Sequence, residues 1–177
     1  MNWRAPDPLD RIMEVMDCAF EPRFGEAWTR RQVGDALLLG NCHFGLIATD
    51  GSDCSETTDL AAGFYLSRSV LDEEELLLFA VAPEQRRRGL GRRLLGRMLD
   101  DAANRGIKRV FLEMRAGNPA GELYAAQGFQ PVGIRVCEEW GPLEAFQHPV
   151  QSKDLEGKHV APRPDCLSSQ QQRSCHL

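Results

Sequence analysis

Leu76-Leu77-Leu78-Phe79-Ala80-Val81-Ala82-Pro83-Glu84-Gln85-Arg86-Arg87-Arg88-Gly89-Leu90-Gly91-Arg92-Arg93-Leu94-Leu95-Gly96-Arg97-Met98-Leu99 is the stretch that decides the fold. Its first seven residues form an apolar run of strand length. Pro83, which has no N–H to give a sheet ladder, ends it. Leu90, Leu94, Leu95, Met98, Leu99 and Ala102 then recur at helical spacing, with Arg92, Arg93, Arg97, Asp100 and Asp101 between them. That pattern predicts an amphipathic helix packed on a sheet. Between strand and helix, Gly89 and Gly91 remove side chains where the helix begins, so free N–H groups at the positive end of the helix dipole can meet an anion closely.

Arginine density sharpens this reading. Nine of the 21 basic residues lie between Arg86 and Arg109, against two acids, in a chain of net charge −5. A phosphate-bearing ligand accounts for such a concentration. The loop is neither a Walker G-x-x-x-x-G-K-[ST] loop nor a three-glycine dinucleotide fingerprint. The plainer alternative is a solvated arginine-rich helix face, and nucleic-acid binding by that helix is a third reading.

Working outward, 177 residues with 42% hydrophobic and 27% charged composition suit one domain with its own core. No apolar run is long enough to cross a bilayer, and residues 1–7 carry no apolar signal region, so a cytoplasmic chain with no membrane partner is expected. The six cysteines form no C-x-x-C pair and are not grouped with the four histidines at zinc-ligand spacing, so free thiols and no metal are expected. A net charge of −5 argues against nucleic-acid binding by the surface as a whole.

Before the central stretch, Leu9, Ile12, Met13 and Met16 share one face of a first helix that must end before Pro22. Residues 20–28 form a loop with three aromatics, suited to core packing or to one wall of a groove. Thr29 is the expected N-cap of a second helix that closes at Gly40-Asn41. Strands are expected at 43–48, 60–70 and 73–81, an antiparallel meander that delivers the chain to the arginine-glycine loop. The acidic run Asp72-Glu73-Glu74-Glu75 reads as solvated, with Glu75 the one exception to set apart. After the central helix come a strand at 110–114, a helix from Asn118-Pro119 to Gly128 and a strand at 129–136, which together make an α+β arrangement with a mixed sheet. Beyond Trp140, four prolines, a Gln170-Gln171-Gln172 tract and no sustained alternation predict an irregular or disordered tail over 141–177.

Two motifs carry a family resemblance. Arg86-Arg87-Arg88-Gly89-Leu90-Gly91 resembles the Q/R-x-x-G-x-G/A loop of the GNAT acetyltransferases. Residues 112–129, L-E-M-R-A-G-N-P-A-G-E-L-Y-A-A-Q-G-F, are similar to the L-E-V-R-x-x-N…A-x-x-L-Y-x-x-x-G-F block of the RimI-like protein N-terminal acetyltransferases. The resemblance covers roughly residues 10 to 140 and implies a GNAT domain over 1–140. Its mostly antiparallel mixed sheet would be flanked by helices, with the family's usual final strand missing.

The resemblance also implies acetyl-CoA as cosubstrate, its pyrophosphate held by the backbone of Arg86, Arg87, Arg88, Gly89, Leu90, Gly91 and Arg92. Its pantetheine arm would lie along Phe79, Ala80 and Val81, with Asn118 touching the coenzyme. Asn118 to Tyr124 is one residue shorter than the family spacing. The acceptor implied is a protein N-terminus, in this group the N-terminal alanine of a ribosomal protein. A small-molecule amine, or acetyl-CoA binding without catalysis, are the alternatives.

Making a neutral amine at pH 7 costs about 1.4 kcal/mol for an α-amine and about 4.6 kcal/mol for a lysine, so a modest base suffices for the former. The L-E-x-R match assigns that base to Glu113, otherwise a carboxylate paired with Arg115 or Arg135. Tyr124, otherwise a core tyrosine, is assigned as the acid that protonates the departing thiol.

Overall fold

The computed structural model describes residues 7–54, 60–137 and 141–150. Two helices, α1 (Pro8–Ala19) and α2 (Arg30–Leu38), precede three strands, β1 (Cys42–Ala48), β2 (Ala61–Val70) and β3 (Glu73–Val81). Then follow α3 (Leu90–Asn104), β4 (Arg109–Arg115), α4 (Ala120–Ala126), β5 (Gln130–Cys137) and β6 (Gly141–Pro149). Helix starts obey local chemistry. The Asp7 carboxylate accepts from the Leu9 N–H at 3.1 Å ahead of Pro8. Thr29 and Gln32 form a reciprocal capping box, each side chain accepting the other's main-chain N–H.

One six-stranded sheet runs β1-β2-β3-β4-β6-β5. Every pairing is antiparallel except β3 with β4. Ile12, Met16 and Val33 from α1 and α2 bury against Leu46, Phe64, Leu66 and Leu78 on one face. On the other, Leu94, Leu95 and Met98 of α3 pack with Val110, Leu112, Tyr124 and Phe146. This is the helix-flanked, mostly antiparallel mixed sheet expected from sequence.

The parallel pair is short. β3 and β4 are in register only at Glu73–Arg109, Glu74–Val110 and Glu75–Phe111. A register shift between Leu66 and Ser67 of β2 leaves Leu77 of β3 without a partner. Leu76 therefore joins the α3 core, whereas Leu78 and Ala80 join the α1 core.

The closed end is pinned from behind. Glu74 is fully buried, accepts from Ser67 Oγ at 2.6 Å and pairs with Arg105 at the end of α3. Tyr65 Oη donates to Asp101 of the same helix at 3.0 Å. The acidic run is therefore not wholly solvated, because Glu74 is the group that fixes the helix to the sheet.

The expectation of a missing final strand is corrected. β6 lies between β4 and β5, pairing Arg115–Leu143 through Arg109–Pro149 on one side and Cys137–Gly141 through Gln130–Gln147 on the other. The expected tail beginning at residue 141 thus starts with a strand, and 151–177 lie outside the described residues. Its buried side chains, Leu143 and Phe146, are three apart and enter opposite faces, so no period-two pattern marks the strand. β5 is the sheet's edge, with Val132, Ile134 and Val136 exposed.

Replacing Arg105 by Ala leaves the buried Glu74 carboxylate with Ser67 alone, and we expect a loss of about 3 kcal/mol in urea unfolding. Acid provides a second check. Burial pushes the imidazoles of His43 and His148 below their ordinary 6.5. Among the described residues Nδ1 of His148 has no hydrogen-bond partner, and its ring lies 5.0 Å from that of Phe129. The unfolded chain takes these protons more readily, so their contribution is complete above about pH 6.5 and fades as pH falls below it. The urea midpoint should drop between pH 7.5 and 5.5, and His148→Phe should flatten part of that drop.

Candidate functional site

Where β3 and β4 part, a groove of about 270 Å³ opens. Its walls include Leu77 and Phe79 of β3, Glu113 of β4 and Tyr124 of α4, and the loop between α1 and α2 adds Phe20 and Trp28. The aromatic loop is thus a groove wall. Val81 turns its carbonyl away from β2, where Arg86 Nε donates to it at 3.1 Å. Main-chain direction alternates along a strand, so the peptide groups of Phe79 face the same open side, and Ala80 between them faces Phe64 of β2.

The turn into α3 lies near Phe79 of the groove, to whose ring a Cβ on Gly91 would come within 3.8 Å. Arg87 (φ 63°) and Gly89 (φ 80°) are both left-handed, the kind of tight curl that suits main-chain N–H groups to an anion. Gly89 is the N-cap and supplies no side-chain cap. The first bond into the helix runs from Arg93 N to Gly89 O at 3.1 Å, so the N–H groups of Leu90, Gly91 and Arg92 have no partner within the helix. A Cβ on Gly89 would meet nothing within 4 Å, whereas one on Gly91 would come 3.3 Å from Leu123 Cδ2. The loop is therefore bare toward solvent and tight toward α4. These features fit a diphosphate.

Most of the arginine density has another purpose. Arg86 ties the end of β3 to α1, with Nη2 donating to the Ala19 carbonyl at 3.2 Å. Arg93 and Arg97 hold the β1–β2 turn through the carbonyls of Asp50 and Gly51. Arg105, Lys108 and Arg109 pair with Glu74, Asp72 and Glu73. Exposed beside the loop are Arg87, Arg88, which bonds Gln85, and Arg92.

Three glutamates reach the groove, and each is held by an arginine. Glu113 accepts from Arg135 at both oxygens, Nε–Oε1 being 3.1 Å. Glu75 pairs with Arg68 at 2.7 Å. Glu26 pairs with Arg115 at 3.3 Å, and that guanidinium lies 3.8 Å over the Phe24 ring. Glu113 thus lines the groove and has the Arg135 partner that the sequence offered as its plainer reading.

Tyr124 is 6% exposed, edge-on to Phe79 at 6.1 Å and Phe129 at 5.7 Å. Burial pushes its phenol well above the ordinary value, so it is a protonated donor. Among the described residues none accepts from its hydroxyl. Asn118 also lines the groove, but its Oδ1 accepts from Ala120 N at 3.0 Å and sets the first turn of α4, leaving only its amide NH₂ to offer.

Sequence reasoning passed over Glu26, Leu77 and Leu143 as groove residues. Glu26 sits inside the aromatic loop already suspected of forming a wall, and that was its available signal.

The family model described as the acetyltransferase (GNAT) family matches residues 9–129. The [ribosomal protein bS18]-alanine N-acetyltransferase of Salmonella typhimurium strain LT2 is 44% identical over 78 residues, 44% of this chain and 53% of that protein. Its counterpart in Haemophilus influenzae is 37% identical over 73 residues, 41% of this chain and 50% of that protein. The chain thus spans about half the length of these relatives. The crystal structure of the ribosomal-protein-S18-alanine N-acetyltransferase from Escherichia coli superposes with a TM-score of 0.65 at 23% identity, covering 89% of this chain and 97% of that one. That likeness is one of fold.

No helix among the described residues is long and apolar enough to cross a membrane. Gly89→Ala forces a Cβ into a left-handed position with no steric clash, so a loss of about 1 kcal/mol in thermal unfolding is expected from backbone strain alone.

Proposed function

Because the chain belongs to the GNAT family of acetyltransferases, we propose that it transfers an acetyl group from acetyl-CoA to the N-terminal α-amine of a protein. The observation that carries this reading is the groove itself. It opens between two strands that part after three residues, with a bare helix N-terminus near its Phe79 and an aromatic loop in its wall.

The N–H groups of Leu90, Gly91 and Arg92, and the curl through Arg86, Arg87, Arg88 and Gly89, would hold the diphosphate, with the Arg87, Arg88 and Arg92 side chains adding charge. Phe79 and Val81 would present main-chain groups to the pantetheine arm, and the Asn118 amide would donate beside it. The coenzyme supplies the acetyl group as an activated thioester.

Glu113 would take the proton from the incoming ammonium, directly or through one water. As the new C–N bond forms and the C–S bond breaks, Tyr124 would give its proton to the sulfur and be restored by the proton that the nitrogen sheds. An α-amine is favoured over a lysine because its neutral form at pH 7 is about 3 kcal/mol less costly.

The relatives are named for the alanine of ribosomal protein bS18. An alanine-starting protein N-terminus is therefore the acceptor we assign, with the Phe20–Trp28 wall receiving the residues that follow.

Release of coenzyme A thiol should be fastest with alanine-starting peptides and slower with N-terminally blocked lysine peptides or polyamines. Absence of turnover with any free N-terminus would overturn the reading. Glu113→Gln and Tyr124→Phe should each lower kcat by about 100-fold while the rise in Tm on adding acetyl-CoA is retained.

A further inference from the structure

We propose that Arg135 is a positioning residue for the transfer, gripping the Glu113 carboxylate at two points so that it faces the groove in a fixed orientation. This rests on the reading of Glu113 as the group that takes the acceptor's proton.

The geometry begins with the strand that the sequence concealed. β6 stands between β4 and β5, and one row across the three strands reads Glu113, Ala145, Gly133, while a neighbouring row reads Arg115, Leu143, Arg135. Paired residues share a face, as do residues two apart on a strand, so Glu113 and Arg135 project on the same side. Arg135 has to reach diagonally over β6 to touch Glu113. It can do so because the rest of Glu113's own row carries only a methyl group at Ala145 and no side chain at Gly133. A Cβ at Gly133 would itself meet nothing within 4 Å, so the passage is open.

A guanidinium fork matches a carboxylate edge to edge. Nε of Arg135 donates to Oε1 of Glu113 at 3.1 Å and Nη2 donates to Oε2. Each carboxylate oxygen has two acceptor sites, so this grip leaves a lone pair on each oxygen for an incoming proton. Among the described residues, Glu75 and Glu26 each have a single contact of this kind, with Arg68 and Arg115.

The Glu113–Arg135 pair is also half-exposed, with side-chain exposures of 36% and 43%. Such pairs contribute little to folding, and Tm measured beside kcat separates orientation from stability.

The test measures alanine-peptide acetylation and Tm for wild type, Arg135→Lys, Arg135→Met, Glu113→Gln and the Glu113→Gln/Arg135→Met double variant. Arg135→Met should lower kcat by about 10- to 100-fold with KM for acetyl-CoA and Tm unchanged. Arg135→Lys should recover part of the loss, because an ammonium grips one point instead of two. In the Glu113→Gln background, Arg135→Met should cost nothing further, since the two act as one unit.

Full turnover by Arg135→Met, or an equal loss in both backgrounds, overturns the positioning role while the Glu113 reading stands. Full turnover by Glu113→Gln removes both together. A fall in Tm that tracks the fall in kcat across the Met and Lys variants would make Arg135 merely structural.

Discussion

Everything the groove can do depends on two neighbouring strands that stay together for three residues and then separate. β3 and β4 keep their hydrogen bonds only at Glu73–Glu75 and Arg109–Phe111. Two causes act in opposite senses. Behind the joined end, the fully buried Glu74 is bound to Ser67 and Arg105, and Tyr65 to Asp101, so α3 cannot drift from the sheet there. Ahead of it, the unpartnered Leu77 changes which face each following side chain enters, and β3 leaves its neighbour. One fixed end and one released end produce an opening lined by Glu75, Leu77 and Phe79 of β3 and by Leu112 and Glu113 of β4.

Helix α3 links that opening to the bare turn at its own N-terminus. Its C-terminal half is fastened by Asp101 and Arg105, its outer face by Arg93 and Arg97 to the β1–β2 turn, and its N-terminus carries bare N–H groups near the groove. The same residue type thus has two separate occupations. Arginines with carbonyl or carboxylate partners set the helix in place, and Arg87, Arg88 and Arg92 at its start stay exposed.

How much of this could be read from the chain varies with the kind of signal. Leu90, Leu94, Leu95 and Met98 announce α3 by spacing, and Thr29 announces α2 by its cap, because both depend on neighbours in sequence. β6 was hidden because Leu143 and Phe146 face opposite sides and the strand is stabilised by ladders to both β4 and β5, which are long-range. The Leu77 irregularity was hidden for a different reason. Burial along β3 alternates without a break while the face changes, so the apolar pattern looks like that of a regular strand. Arginine density overstated the anion site, since partners such as Asp50, Gly51 and Glu74 are distant or seemingly solvated in sequence. Motif spacing points to Asn118 and Glu113, but it carries no sign of the Ala120 N–H and Arg135 partners that engage them.

The rim strand β5 has a practical consequence of its own. It presents Val132, Ile134 and Val136 to water, carries no lysine to ward off a neighbouring chain, and among the described residues has no strand paired to its outer side. Concentrated preparations therefore expose a template onto which a like-minded extended segment can zip. A single lysine in place of Ile134, on the side turned away from the groove, would blunt that stickiness while sparing the chemistry opposite.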